Sequence, residues 1–131
     1  MERHHFLFNR STHEANSDLR ALREDRRLIV PLDHDTHKEL HERVSHVPPL
    51  SHHIARRALI NFKEYNPADN PIHDIDNLQF SIQEAIRHPR ADLIEREVGE
   101  LAIYALDIQK PFIQEDLPTR LAVVHHDFRV A

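Results

Sequence analysis

The sequence of 131 residues contains no cysteine and a single glycine, Gly99. The lack of cysteine excludes disulfide frameworks, thiol catalysis and cysteine-ligated zinc modules. Loops that cradle nucleotide phosphates need several glycines at fixed spacing, so both common nucleotide-binding fingerprints are excluded as well. No apolar run approaches the roughly 20 residues of a membrane-spanning helix, and the first ten residues lack the apolar stretch of a secretory signal. We therefore expect a cytoplasmic protein without a membrane-embedded part.

Histidine, by contrast, is abundant and unevenly distributed. Nine of the 13 histidines lie in the first 60 residues, where basic and acidic side chains nearly balance, whereas the formal net charge of the whole chain is −5. A length of 131 residues with 40% hydrophobic positions is sufficient for one domain with its own core. We therefore expect a single domain whose unusual chemistry lies in its amino-terminal half.

The first 46 residues have the pattern of two strands followed by a helix. The aromatic and apolar run over 4–8 predicts a strand that begins at the histidine pair. The β-branched run over 28–30 predicts a second strand, which Pro31 should end. Thr36 begins an S/T-x-x-E capping pattern, which predicts a helix over 36–45. The sequence thus predicts a ββα element over 1–46.

Helical patterns dominate the rest of the chain. Ser17 is predicted to cap a short helix, Ser51 a helix over 52–65, and Asp74 a helix that ends near Pro89. A further helix is predicted over 91–110, ended by Pro111, with a buried stripe of Ile94, Val98, Leu101, Ala102, Ala105 and Ile108.

Gly99 lies in the middle of this last helix, which predicts close contact with a neighbouring helix. The expected fold class is α+β and mainly α, with the ββα element packed on a bundle of about three helices over 51–111. The tail over 112–131 carries no clear pattern.

Two histidines of the predicted helix over 36–45 are spaced to act together. His37 and His41 are four residues apart, so they share a helix face, and Leu40 and Val44 lie on the same stripe. An imidazole on an inward face needs a hydrogen-bonding group or a metal ion. The spacing is therefore compatible with a metal site and also with two packed, hydrogen-bonded histidines.

The order of these features resembles that of the HNH nucleases, the ββα-metal or His-Me finger class that includes the colicin-type DNases. The resemblance covers residues 3–45: the pair His4-His5, the second strand, and His37-x-x-x-His41. It implies that His4, His37 and His41 are metal ligands and that His5 is the general base. Three neutral imidazoles favour one transition-metal ion of the Zn²⁺ or Ni²⁺ type over Mg²⁺.

The same resemblance implies hydrolysis of nucleic-acid phosphodiester bonds, with the nucleic acid contacting the amino-terminal half. Arg27 is then a candidate to neutralise a phosphate oxygen, although the interleaved acidic residues also fit a solvated, salt-bridged face. The family has an asparagine just before the second strand, where this chain has Arg26 and Arg27. The amino-terminal segment, with its histidine pair, arginine-rich loop and Val-Pro-Pro turn, also resembles small proteins of actinobacterial bacteriophages. A catalytically inactive HNH-like phage protein that binds or inhibits a host protein is therefore the alternative.

Overall fold

The computed structural model describes residues 2–7, 15–66 and 70–114, and in them the chain is mainly helical with one two-stranded sheet. The predicted fold class, α+β and mainly α, is confirmed. In chain order the elements are β1 (Glu2–His5), α1 (Ser17–Arg23), β2 (Ile29–Leu32), α2 (His34–Val44), α3 (His52–Glu64), α4 (Pro71–Ile86) and α5 (Leu93–Gln114). Of the tail predicted over 112–131, the first three residues belong to α5 and residues 115–131 lie outside the described part of the chain.

The sheet is antiparallel, with Glu2 opposite Leu32 and His5 opposite Ile29. Strand β1 therefore begins two residues before the predicted strand over 4–8 and ends at His5. Pro31 does not end β2 but lies within it. A proline has no N–H to donate, and it is tolerated here because each strand of a two-stranded sheet is an edge strand.

The helix starts depend on polar side chains that accept hydrogen bonds from first-turn amides, and these caps are Asn16, Asp33, Ser51 and Asn70. The prediction for Ser51 is confirmed. The predicted caps Ser17, Thr36 and Asp74 are wrong, because each lies inside a helix that extends further toward its amino terminus. In each case an asparagine or aspartate just upstream provides an equal or better cap.

Helix α5 differs from the prediction in two ways. It continues through Pro111 to Gln114, because the core contacts made by buried Ile113 and its partly buried neighbour Phe112 offset the roughly 3 kcal/mol that an interior proline costs. The buried face of α5 is also rotated about the helix axis relative to the predicted stripe, since Ile94 and Leu101 of that stripe are 73% and 46% exposed.

The close helix contact predicted at Gly99 is confirmed. A Cβ atom on residue 99 of α5 would collide with the side chain of Ile86 at the end of α4. Helix α4 thus approaches α5 on the Gly99 side, and this approach determines which of the two apolar stripes of α5 is buried.

One buried apolar cluster joins the amino-terminal ββα part of the chain to the helical part that follows it. It includes Val30 and Leu32 of β2 and Leu40 of α2 together with Phe62 of α3 and Leu78 of α4. Helix α2 contacts both β1 and α5, so the strand, the helix and the carboxy-terminal helix meet at one place. None of the helices in the described ranges has the length and apolarity that crossing a bilayer requires.

Candidate metal centre

Three histidines converge where β1 crosses α2. His4 comes from the strand, His37 and His41 come from the helix, and one ring nitrogen of each lies within 4.8 Å of the others. The ring centroids are 5.1 Å apart for His4 and His37, 5.7 Å for His4 and His41, and 4.5 Å for His37 and His41. This group, predicted from the sequence as a ligand set, could hold a metal ion.

His4 is fully buried and is held by a glutamine from the far end of the chain. Its Nε2 lies 2.5 Å from Oε1 of Gln109 on α5, while the Gln109 side-chain amide donates to the carbonyls of Phe6 and Ala105 at 3.1 and 3.2 Å. The amide orientation therefore makes Oε1 the acceptor and His4 Nε2–H the donor. The other ring nitrogen, Nδ1, is buried and has no hydrogen-bond partner among the described residues.

The environment of His4 also determines its charge. Its pKa is lowered to about 3, chiefly by burial; the Gln109 hydrogen bond acts in the opposite direction, and the nearby His37 and His41 contribute to the lowering. The ring is therefore neutral at physiological pH, the form in which imidazole binds metal ions.

His37 is oriented by an acidic side chain on β1. Its Nδ1 lies 3.2 Å from a carboxylate oxygen of Glu2, and Glu2 also contacts His34 Nδ1 at 3.1 Å. An ionised carboxylate only accepts hydrogen bonds, so His37 donates from Nδ1 and keeps a lone pair on Nε2. The hydrogen bonds from His34 and His37 lower the pKa of Glu2, which favours its ionised form.

The two helix histidines are hydrogen-bonded through their Nε2 atoms, which are 2.8 Å apart. Because His37 donates from Nδ1 to Glu2, its Nε2 accepts and His41 Nε2 donates, so binding of a metal ion requires the His41 proton to move to Nδ1. Burial and the neighbouring His37 lower the pKa of His41, so its neutral form is favoured. Bonds of roughly 2.0–2.1 Å in a tetrahedral site would separate these atoms by about 3.3 Å. The observed separation of these two atoms is therefore about 0.5 Å shorter than in such a site, and the three ligand atoms all lie within 4.8 Å of one another.

The cluster fits a metal ion by the chemistry of its donors. His4 Nδ1 is the one ring nitrogen of His4 without a partner among the described residues, and His37 Nε2 accepts a hydrogen bond from His41 Nε2, which a metal ion shared by the three rings would replace. Gln109 and Glu2 bind the opposite ring nitrogens of His4 and His37. Outer hydrogen bonds of this kind orient metal-binding histidines. Three protein ligands leave a fourth tetrahedral position, and the exposure of His41 puts one side of the cluster at the protein surface.

Comparison with protein-family models, with curated proteins and with solved structures finds no match to this chain. The resemblance to the HNH nucleases therefore stays a prediction, based on the histidine pair and the HxxxH spacing. What the cluster can do is inferred from its own geometry.

The predicted base and the predicted phosphate-binding arginine lie outside this cluster. Side chains alternate along a strand, so His5 is directed away from His4, and its Nε2 lies 3.9 Å from the carboxylate of Glu24. Arg27 forms a two-point ion pair with Asp25, at 3.0 and 2.9 Å, and its guanidinium lies 4.1 Å from the centre of the Phe62 ring. The predicted roles of His5 and Arg27 stay predictions.

Sequence reasoning missed the two residues that orient the ligands. Glu2 could have been found, because strand alternation puts it on the same face as His4 two residues later. The signal for Gln109 was its position among apolar residues: it lies three and seven residues beyond the buried Leu106 and Ala102. A buried glutamine on such a stripe indicates a hydrogen-bonding partner inside the fold.

Proposed function

We propose that the protein is a metal-dependent, HNH-like nuclease that hydrolyses nucleic-acid phosphodiester bonds and uses one ion of the Zn²⁺ or Ni²⁺ type. The observation that supports this proposal best is the buried lone pair of His4 Nδ1, which has no partner in the described residues and belongs to a ring 5.1 Å from that of His37 and 5.7 Å from that of His41. Leaving a buried acceptor unsatisfied costs about 1–3 kcal/mol. A bond to a metal ion would remove that cost.

The donor set supports the proposed metal type and reaction class. Neutral imidazoles suit Zn²⁺ and Ni²⁺ better than Mg²⁺, which prefers oxygen ligands. When bound, such an ion supplies positive charge to a phosphate oxygen in the transition state. His4, His37 and His41 would hold it, with the fourth position directed to the exposed side at His41.

His5 is the proposed general base. Burial lowers its pKa, and the charges of Arg23 and Arg3 lower it further, so the ring is neutral at physiological pH and can accept a proton from water. Arg3 shares the outward face of β1 with His5 because the two are two residues apart on a strand. The positive charge of Arg3 is suited to the phosphate backbone of a nucleic acid.

A second candidate is a catalytically inactive protein with the same metal centre that binds or inhibits another protein. Two observations favour it. His5 lies on the strand face opposite the ligands, near Glu24, and Arg27 is paired with Asp25. Helix α5 also exposes large apolar side chains along one face, namely Leu93, Ile94, Leu101 and Tyr104, and contiguous exposed apolar surface is typical of protein-binding sites.

Plasmid nicking distinguishes the two functions. Supercoiled DNA, and RNA in parallel, is incubated with the native protein and Zn²⁺, Ni²⁺, Mn²⁺ or Mg²⁺, with chelator as control. We expect cleavage that chelator abolishes. His5→Ala should keep the bound metal and lose cleavage, His41→Ala should lose both, and His46→Ala, an exposed histidine after α2, should lose neither. Stoichiometric metal binding without chelator-sensitive cleavage would contradict the nuclease and support the binding protein.

A further inference from the structure

We infer that Gln109 is a positioning residue, which holds His4 in the tautomer that can bind a metal ion and so makes the metal centre depend on helix α5. The inference rests on the metal centre of the proposed function. It concerns a residue that does not itself touch the ion, and it links two elements that are 105 residues apart in the sequence.

The first step is that the Gln109 amide has one favourable orientation. Its Nε2 donates to the carbonyl oxygens of Phe6 and Ala105. Turning the amide over would place Oε1 against both carbonyls, with the loss of two buried hydrogen bonds and an added repulsion between oxygens. Buried groups left unpaired are costly, so the observed orientation is strongly preferred.

The second step is that this orientation selects the tautomer of His4. With Oε1 at 2.5 Å, Nε2 must carry the proton, because two lone pairs at that distance repel each other. In neutral imidazole the proton on Nε2 leaves the lone pair on Nδ1. The opposite tautomer would put the proton on Nδ1 and leave the lone pair on Nε2, the nitrogen that faces Gln109, so that His4 could not act as a metal ligand.

The third step separates positioning from ordinary packing. Gln109 is fully buried on the same face of α5 as Leu106 and Ile113, and methionine matches its length while it removes the amide. If Gln109 served packing alone, Gln109→Met would be neutral or stabilising. If it positions His4, the same substitution must weaken metal binding.

The test begins with the metal-free native protein. Nitrogen NMR of the histidine rings should report His4 as protonated on Nε2 and unprotonated on Nδ1. Zn²⁺ affinity is then measured by competition titration for the native protein, Gln109→Met and Gln109→Leu. We expect a 10- to 100-fold loss of affinity in both variants, measured at a temperature at which each variant is folded, because the loss of the Gln109 hydrogen bonds to His4, Phe6 and Ala105 also lowers the melting temperature of the metal-free proteins.

Gln79→Met is the matched control, since Gln79 is a glutamine on α4 whose amide also donates to a backbone carbonyl, that of Ile103, away from the histidines. It should bind Zn²⁺ as the native protein does. A His4 ring protonated on Nδ1, or native affinity in the folded Gln109 variants, would overturn the inference whether or not the protein cleaves nucleic acid. Metal binding that depends on Gln109 without any cleavage would overturn only the proposed function, and a native protein that binds no metal would overturn both.

Discussion

The ββα part of the chain and its helical part each bring histidines together, and the two groups differ in how their ring nitrogens are used. In the helical part, His53 Nε2 accepts from Arg57 at 3.1 Å and its Nδ1 lies 3.6 Å from Glu95. The ring of His88, 6.4 Å away, accepts a backbone amide. In the ββα part, His4 Nδ1 is buried with no partner in the described ranges. A metal centre is thus indicated by a buried ring nitrogen without a partner in a group of three histidines, and histidine abundance alone does not indicate one.

The two parts also use their buried positions differently. The helices fill theirs almost entirely with apolar side chains such as Phe62 and Leu78, whereas β1 places an imidazole at its one fully buried position. A sheet of two four-residue strands is not stable by itself. The helical part therefore supplies most of the stability, and the ββα part holds the candidate site.

The sharpest test of the difference between the two parts of the chain removes two histidines from each part. His37→Ala with His41→Ala should lower Zn²⁺ affinity by more than the 10–100-fold typical of outer-shell changes, because two direct ligands are lost. The upward shift in melting temperature that metal gives the native protein should disappear. His52→Ala with His53→Ala is the control and should keep the shift. Equal shifts in the two double variants would mean that surface histidines bind the metal.

A substitution in the helical core tests where the stability comes from. Leu78→Ala should lower the free energy of unfolding by about 2–5 kcal/mol, measured in urea, because it leaves a cavity in the shared core. The Zn²⁺ affinity of the folded protein should stay unchanged. A loss of Zn²⁺ affinity comparable to that of the histidine double variant would show that metal binding depends on the packing of the helical core.

The third prediction concerns pH and the burial of His4. In the folded protein its pKa is lowered to about 3, whereas in the unfolded chain it takes up a proton near its usual value of about 6.5. The unfolded state therefore binds more protons between these values, and stability falls as the pH drops from about 6.5 toward 3. The slope from this group is at most about 1.4 kcal/mol per pH unit.

Urea unfolding in chelator at several pH values measures this slope. His4→Leu should flatten the pH dependence, since it removes the group that titrates differently in the two states. Leu78→Ala should instead lower stability at every pH and leave the slope as it was. A His4→Leu protein with the native slope would contradict the assignment.

The smallest expected effect is at the contact between α4 and α5. Gly99→Ala should cost about 1 kcal/mol net, because overpacking against Ile86 outweighs the better helix propensity of alanine. Adding Ile86→Leu, which removes the methyl group nearest to the new Cβ, should restore part of the loss in thermal melts. Increased stability in Gly99→Ala alone would contradict the close contact.

Much of the fold and part of the site could be predicted from local patterns. The Ser51 cap, the helix that follows it and the shared face of His37 and His41 depend on groups no more than four residues apart, so the sequence is sufficient to indicate them. The errors at Pro31 and Pro111 have the opposite origin. Proline is disfavoured locally in a strand or a helix, but an edge position or the burial of neighbouring side chains can outweigh that cost.

The sequence by itself determined which residues are available to bind a metal and which of them lie one helical turn apart. Only the tertiary structure decided that His4 is buried against α2, that Glu2 orients His37, and that Gln109 of α5 sets the proton on His4. Local preferences act over a few residues, whereas the tautomer of His4 depends on a side chain 105 residues away. The candidate centre therefore arises from the packing of α5 against the amino-terminal strand.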